Sequence, residues 1–253
     1  YRGRIKVNPI AFWRIGHALA LWHFERLGHR LFLMTEARIR LYVDQSLAAG
    51  QPVALGDAQA NYLFNVMRLG VGATVKLFNG QDGEWLANVE HAGKRQGILR
   101  CTTQSAPLMP PPDLWLLFAP IKKARTDFIV EKAVEMGAAR ILPVQTRFTN
   151  ERIREDKLRA HAVEAAEQCE ATYVPPVEDL IPLDKLLATW NPTRRILWAD
   201  EGLQGRAALL QAAPGPWAIL IGPEGGFSPE ERTKLRALPC VNPISLGPRI
   251  LRA

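Results

Sequence analysis

The stretch Trp217-Ala-Ile-Leu-Ile-Gly-Pro-Glu-Gly-Gly-Phe-Ser-Pro-Glu-Glu231 decides the fold of this chain. Its first five residues are an apolar run of strand length, which stops at a Gly-Pro pair. Ser228 then suits a helix N-cap, Pro229 the first helical position, and Glu231 the capping-box partner. A glycine-rich turn at the C-terminal end of a strand is where α/β sheets bind ligands. The stretch therefore predicts a strand, a ligand-binding loop and a helix.

A second stretch of the same kind follows as Asn242-Pro-Ile-Ser-Leu-Gly-Pro-Arg-Ile-Leu-Arg252. It again combines a short strand, a Gly-Pro break and the start of a helix. Consecutive strands are often neighbours in a sheet. We therefore expect the two loops to lie side by side if their strands are neighbours.

Together, the segments 220–231 and 245–252 resemble the RsmE family of 16S ribosomal RNA uridine methyltransferases. The resemblance covers roughly residues 38–253. It implies an α/β fold of the SPOUT class, in which a trefoil-knotted parallel sheet carries helices on both faces and holds S-adenosylmethionine. It also implies a PUA-like β-barrel domain that binds RNA, and a homodimer around the knot.

The order of predicted elements divides the chain. One helix over 57–69 among short strands over 38–43, 74–78, 84–89 and 97–103 predicts a small β domain. A proline-rich segment follows, and strands then alternate with helices, as in a parallel sheet. With the resemblance, this order predicts an atypical N-terminal extension over 1–33, a PUA-like RNA-binding domain over 34–106, a Pro-rich linker over 107–112 and a SPOUT methyltransferase domain over 113–253.

Both termini are unusual. Residues 1–33 carry six Lys/Arg against one acidic residue, and they are rich in Trp, Leu and His. We interpret them as an extension upstream of a natural start at Met34; an amphipathic helix on a membrane surface is the alternative. The sequence stops at Ala253, where the family continues with a helix threaded through the knot, so a truncated C-terminal helix is predicted.

Composition restricts the function classes. The net charge is +7, but beyond residue 33 there are 26 Lys/Arg against 24 acidic residues, so charge alone does not establish RNA binding. Cys101, Cys169 and Cys240 have no metal-ligand or disulfide spacing, which favours a reducing cytoplasm and no metal. No apolar run approaches the length of a membrane span.

The resemblance and the loop chemistry select candidate site residues. Arg249 is the candidate for stabilising charge on the substrate, and Glu224 is a weaker candidate for the base. The alternative for Glu224 is hydrogen bonding to the loop's own amides. Contacts to S-adenosylmethionine, mainly from backbone, are predicted at Trp198, Ile221, Gly222, Gly225, Gly226, Leu246, Gly247 and Leu251.

Cations that follow two predicted strands are the RNA candidates. Lys122 and Lys123 follow one strand and Arg147 the next, where each could contact phosphate. The alternative for the lysines is a solvated helix N-terminus. The segment Glu167-Gln-Cys-Glu-Ala171 resembles a family motif, but Ala171 stands where the family commonly has arginine, which leaves the role of that arginine in doubt.

The sequence thus predicts S-adenosylmethionine-dependent methylation of a uracil N3 in 16S ribosomal RNA, by resemblance uridine 1498. Uracil N3 carries a proton at neutral pH, so proton removal or charge stabilisation must accompany methyl transfer. One alternative is a non-catalytic PUA-like RNA-binding protein. The other is a SPOUT methyltransferase with a different target, such as a ribose 2′-hydroxyl or a transfer RNA.

Overall fold

The computed structural model describes residue 37 and residues 39–203 and 215–246. From Arg40 onward these residues belong to one compact unit. The predictions about residues 1–33, Gly247, Arg249, Leu251 and the C-terminal helix lie outside the described residues.

The N-terminal half of this unit is a five-stranded sheet with the order β1-β3-β4-β5-β2. Its neighbouring strands run antiparallel except for β1 and β3, which are parallel. Four of the strands were expected from alternation of polar and apolar residues, whereas the short β2 was not. The strands are β1 (Arg40–Tyr42), β2 (Pro52–Leu55), β3 (Thr74–Phe78), β4 (Glu84–Ala92) and β5 (Gly97–Ala106).

The helix predicted over 57–69 is only partly an α-helix. Helix α1 spans Asp57–Ala60 and continues as a π-helical segment, Asn61–Val66. In this segment the Met67 amide donates to the Tyr62 carbonyl at 2.9 Å, five residues back. The ring of Phe64 occupies the space where a side chain at Gly97 would stand. Apolar periodicity predicts a helix but does not distinguish these two windings.

The C-terminal half contains a six-stranded parallel sheet with the order β11-β9-β10-β6-β7-β8. Its strands are β6 (Leu114–Phe118), β7 (Arg140–Gln145), β8 (Ile181–Pro182), β9 (Arg195–Ala199), β10 (Trp217–Ile221) and β11 (Val241–Ile244). Its helices are α2 (Lys123–Glu135), α3 (Glu155–Gln168), α4 (Leu183–Ala188) and α5 (Pro229–Ala237).

The helices cover both faces of the parallel sheet, as predicted. Phe118 of β6 and Ile141 of β7 pack in one buried cluster with residues of α2 and α3. Their chain neighbours Leu117 and Leu142 pack in a second cluster with residues of α4 and α5. Successive residues of a strand point to opposite faces. A strand that buries apolar residues on both faces of the sheet therefore needs helices packed on each face.

The two loops were expected to lie side by side on the condition that β10 and β11 are neighbours, and this condition is not met. Strand β9 lies between them and pairs with both, with Trp217 opposite Arg195 and Val241 opposite Ile196. The residues after β9 therefore lie between the two glycine-containing stretches. Strand order depends on how the crossover connections pack, and short apolar strands do not encode it.

A buried ion pair joins two strands of the small sheet. The Arg40 side chain of β1 contacts Glu84 of β4 with 2.6 Å between Nε and Oε2, and both side chains are almost fully buried. Ser105 donates to the other carboxylate oxygen at 2.8 Å. Burial raises the pKa of Glu84, but these hydrogen bonds and the charges of Lys76 and Arg40 outweigh it, so the pKa lies below its ordinary value.

We expect the Glu84 carboxylate to make the folded protein sensitive to acid. Because its pKa is lower when folded, it stabilises the fold above the ordinary value of 4.5, and this contribution is lost as the pH falls through the folded pKa. Urea unfolding of the native chain and Glu84→Gln should therefore show a difference in unfolding free energy that shrinks with acidification. A difference independent of pH would contradict this expectation.

Candidate cofactor and RNA site

Three parallel strands end beside one another at the carboxyl edge of the large sheet. Strand β9 leads into an acidic turn, Asp200–Leu203, and β10 leads into a loop that we call the glycine loop, Gly222–Ser228. Strand β11 ends at Ile244, whose carbonyl accepts a hydrogen bond from the Asp200 amide at 3.0 Å. Ligands of open α/β sheets bind at this edge.

The glycine loop is shaped by its glycines. Gly226 has a φ of +68° and donates its amide to the Pro223 carbonyl at 2.8 Å, which closes a tight turn. A Cβ at Gly222 would lie 2.6 Å from the Phe227 ring. Phe227 and Gly226 are buried, whereas Glu224 and Gly225 are exposed. The loop thus presents mainly backbone at its rim.

The start of α5 anchors the glycine loop. Ser228 accepts a hydrogen bond from the Glu231 amide at 3.2 Å, and the Glu231 carboxylate accepts one from the Ser228 amide at 2.9 Å. This is the predicted capping box, with Pro229 at the start of the helix. The same carboxylate also accepts a hydrogen bond from the Arg147 amide at 2.7 Å. Glu231 therefore connects the loop after β7 to the loop after β10.

Ser228→Ala is expected to lower the free energy of unfolding by about 1 kcal/mol, because the N-cap hydrogen bond of α5 is lost. Thr233→Ala is the matched control, since Thr233 is exposed within the same helix and donates only to the Pro229 carbonyl. Urea unfolding measures both. Equal losses in the two variants would mean that the cap contributes nothing specific.

The acidic turn is held by two arginines of α5. The Asp200 side chain is fully buried, accepts a hydrogen bond from the Gly202 amide at 2.9 Å, and pairs with Arg232 and with Arg236, the latter at 3.0 Å. Burial raises the pKa of Asp200, but these hydrogen bonds outweigh it and the pKa lies below its ordinary value. The carboxylate is therefore a structural anion rather than a proton acceptor.

Arg232 also connects the acidic turn to the glycine loop. Its guanidinium pairs with Glu201 and donates to the Phe227 carbonyl at 3.1 Å. A Cβ on Gly226 would collide with the Glu201 carboxylate. The two segments thus share one arginine and lie in direct contact. Sequence reasoning missed Arg232, because nothing distinguishes it locally from the other charged residues on α5.

Trp198 of β9, a predicted cofactor contact, lies in the core. Its side chain is fully buried and packs edge-on against Phe227, with 5.7 Å between the ring centroids. Its indole Nε1 has no hydrogen-bond partner among the described residues. The packing fixes the strand beneath the glycine loop, and a contact of Trp198 with a cofactor stays a prediction.

The remaining candidates lie at the same edge. Lys122 and Lys123 are exposed after β6, and Lys123 pairs with Asp127 at 2.8 Å. Arg147 is exposed after β7, and its neighbour Phe148 lies against Gly225, where an added Cβ would be 3.3 Å from the Phe148 Cβ. The three cations therefore follow β6, the neighbour of β10, and β7, the next strand of the sheet.

Three further observations concern the described residues alone. Glu224 is exposed in the glycine loop, and its roles as a base or as a hydrogen-bond partner of the loop amides both stay predictions. Within the same ranges no group of His, Cys, Asp and Glu has a metal-binding arrangement. None of the described helices is long and apolar enough to cross a membrane.

Comparison with known proteins assigns the family. Residues 109–253 match the family described as RNA methyltransferase domain, and residues 55–100 match the RNA methyltransferase PUA domain. This chain belongs to the RNA methyltransferase family. The ribosomal RNA small subunit methyltransferase E of Rickettsia conorii is 31% identical over 220 residues, or 85% of this chain and 89% of the relative. The Synechocystis protein of the same name is 28% identical, over 85% of this chain and 73% of its own length.

Solved structures of the family have the same fold. A methyltransferase from Legionella pneumophila, in complex with its bound cofactor SAM, has a TM-score of 0.75 and 27% identity, covering 85% of this chain and 91% of that one. The ribosomal RNA small subunit methyltransferase E of Neisseria gonorrhoeae has a TM-score of 0.77 over the same shares at 24% identity. The predicted family, parallel sheet and PUA-like domain are confirmed; the knot stays a prediction.

Proposed function

We propose that this chain transfers a methyl group from S-adenosylmethionine to small-subunit ribosomal RNA, at N3 of a uracil. The glycine loop carries the proposal, because it presents exposed backbone at the carboxyl edge of the sheet, between the acidic turn and the cations after β6 and β7. Relatives named for small-subunit ribosomal RNA and a neighbour bound to SAM support the substrate and the cofactor.

The residues present fit this cofactor. Gly222, Gly225 and Gly226 leave backbone rather than side chains on the loop. Ile221 is the last residue of β10, and Leu246 follows two residues after the end of β11. Leu246 is 52% exposed and Phe148 is 43% exposed, so large apolar side chains are available for a partly apolar ligand. When bound, S-adenosylmethionine supplies an electrophilic methyl group on a sulfonium. The backbone of these loops would fix its position.

The side chains around the loop have the chemistry that the uracil requires. Uracil N3 must lose its proton, and the charge that spreads onto the carbonyl oxygens must be stabilised. Glu224 is exposed at the rim of the glycine loop and is our candidate for the base. Arg249 is our candidate for stabilising the charge. Lys122, Lys123 and Arg147 would contact phosphates and hold the base in line with the methyl donor.

The assembly and location follow the same proposal. We propose a cytoplasmic homodimer built around a trefoil knot, with uridine 1498 of 16S ribosomal RNA or its counterpart as the target. The PUA-like domain would recognise RNA next to the target. In this arrangement the large domain performs the chemistry, and the small domain contributes to the choice of RNA.

Calorimetric titration of S-adenosylmethionine into the purified chain tests the cofactor. Saturable binding is expected, and its absence at millimolar ligand would remove the methyltransferase proposal in favour of a non-catalytic RNA-binding protein. Methyl transfer to small ribosomal subunits then tests the substrate. Nucleotide mapping of the product identifies the methylated atom, since a ribose 2′-O-methyl group blocks alkaline cleavage whereas N3 methylation does not.

Glu224→Gln should lower kcat for methyl transfer without changing the Kd for S-adenosylmethionine, because Glu224 is the candidate base.

A further inference from the structure

Arg40, at the start of the small sheet, caps a helix of the large domain. Its Nη1 donates to the Ala166 carbonyl at 2.5 Å and its Nη2 to the Ala171 carbonyl at 2.7 Å. Ala166 lies in the last turn of α3, where carbonyls have no partner within the helix. A cation at a helix C-terminus also complements the helix dipole. Arg40 therefore satisfies acceptors that belong to the other sheet's domain.

A second hydrogen bond joins the same two elements. Glu167, from the same last turn of α3, accepts a hydrogen bond from the Tyr42 amide of β1 at 2.7 Å. Arg40 lies 3.6 Å above the ring centroid of Phe78 and pairs with Glu84. We call the four residues Arg40, Tyr42, Glu84 and Glu167 the clasp. In the clasp the small sheet supplies the donors, and the end of α3 supplies the acceptors.

The clasp adds directional hydrogen bonds to the apolar contact between the small sheet and the large domain. Phe78 of the small sheet belongs to the buried cluster that contains Val130 and Leu158 of the large domain. Apolar contact is non-directional, so on its own it leaves the relative orientation of the two sheets loosely specified. Charge-assisted hydrogen bonds to fixed backbone carbonyls have a narrow geometry. The orientation of the small sheet is therefore specified mainly by the clasp.

We propose that Arg40 and Glu167 are positioning residues that orient the PUA-like domain for ribosomal RNA relative to the methyl-transfer site. This inference rests on the proposed function for its consequence, because orientation matters only if one domain holds RNA that the other modifies. RNA that fits one orientation of the two domains binds more weakly when that orientation is only one of several, in proportion to its population. Loss of the clasp should therefore impair use of RNA while the cofactor site is preserved.

Spin-label distances test the orientation without any activity. Labels at Lys94→Cys in the small sheet and at Met136→Cys, whose native side chain is 86% exposed, would be placed in a background with Cys169→Ser and Cys240→Ser. Arg40→Met with Glu84→Gln removes the guanidinium contacts of the clasp together with the carboxylate that pairs with Arg40, so neither member of that pair is left charged without the other. We expect a narrow distribution of distances between the two labels in the native background, and a broad or shifted distribution in the double variant. An unchanged distribution would overturn the inference.

The control is Arg100→Met with Glu90→Gln, an exposed ion pair within the small sheet that should leave the distances unchanged. If the clasp variant does not fold, Glu167→Ala replaces it, since that change removes the acceptor of the Tyr42 amide and keeps the pair of Arg40 with Glu84. A distribution in Glu167→Ala as narrow as that of the labelled native background would count against the proposal. A broad one would support it.

Steady-state kinetics of methyl transfer provide a second test of the positioning role. In the clasp variant the KM for small ribosomal subunits should rise at least about tenfold, while the Kd for S-adenosylmethionine and kcat at saturating RNA stay within twofold. A merely destabilised domain would lose cofactor binding as well, and that result, or an unchanged KM, would overturn the positioning role. If the native chain itself fails to bind the cofactor or to methylate RNA, the proposed function fails, and the spin-label distances still decide the role of the clasp.

Discussion

Gly226→Ala is expected to raise the Kd for S-adenosylmethionine at least about tenfold, which corresponds to about 1.4 kcal/mol. Gly226 has a φ of +68°, a conformation that costs a residue with a Cβ roughly 1–2 kcal/mol. The new Cβ would also collide with the Glu201 carboxylate. To withdraw, that carboxylate must give up its pair with Arg232, which also holds the buried Asp200. Gly226→Ala therefore disturbs the glycine loop through its own backbone and through its contact with the acidic turn.

Calorimetric titration of the cofactor measures the effect, and Gly72→Ala is the matched control. Gly72 has a φ of +87°, and a Cβ added there would meet nothing within 4 Å. The control therefore introduces an alanine with the same backbone strain but without a collision of its Cβ. It lies in the small domain rather than at the proposed cofactor site. Its cofactor Kd should equal that of the native chain. Equal Kd values for Gly226→Ala and the native chain would show that the cofactor does not use this loop.

The glycine loop was predictable because its signals are local. A strand, a break, an N-cap serine, a proline and a glutamate within residues 217–231 define the loop and the start of α5, and the structure reproduces each of them. Alternation of apolar strands with helices likewise placed Arg147 and Lys122 at strand ends. These features depend on neighbours only a few residues apart, so composition and spacing are sufficient.

The contacts that organise the site were not predictable, because they join distant residues. Arg232 meets Asp200 across 32 positions, and Arg147 meets Glu231 across 84. Arg40 reaches the carbonyls of α3 across 126 positions. No periodicity marks such pairs, and each depends on the strand order, which placed β9 between β10 and β11. The charged residues of α5 therefore look like an ordinary solvated helix face until the fold is known.

Asp200→Ala is expected to lower the free energy of unfolding by about 3 kcal/mol, because it breaks a buried charged network. The Asp200 side chain is fully buried, and its removal leaves Arg232, only 20% exposed, without its buried partner. The Gly202 amide also loses its acceptor. We expect the acidic turn and the glycine loop to loosen together, since Arg232 contacts both, so cofactor binding should weaken in the same variant.

The control is an ion pair that joins the same helix, α5, to Asp184 of α4. Lys234 pairs with Asp184 at 2.8 Å, but both side chains are more than half exposed. Asp184→Ala should therefore change the unfolding free energy by less than about 1 kcal/mol and leave cofactor binding unaltered. Urea unfolding and calorimetric titration of the two variants compare a buried pair with an exposed one on α5. Equal losses would show that Asp200 is not the centre of the network.

Asp200→Asn separates charge from hydrogen bonding. An asparagine can still accept from the Gly202 amide, but it no longer neutralises Arg232 and Arg236. If the charge of Asp200 dominates, the asparagine variant should lose nearly as much stability as the alanine variant. If the asparagine variant is as stable as the native chain, the turn is held by hydrogen bonds alone. The glycine loop would then depend on Arg232 through the Phe227 carbonyl rather than through the acidic turn.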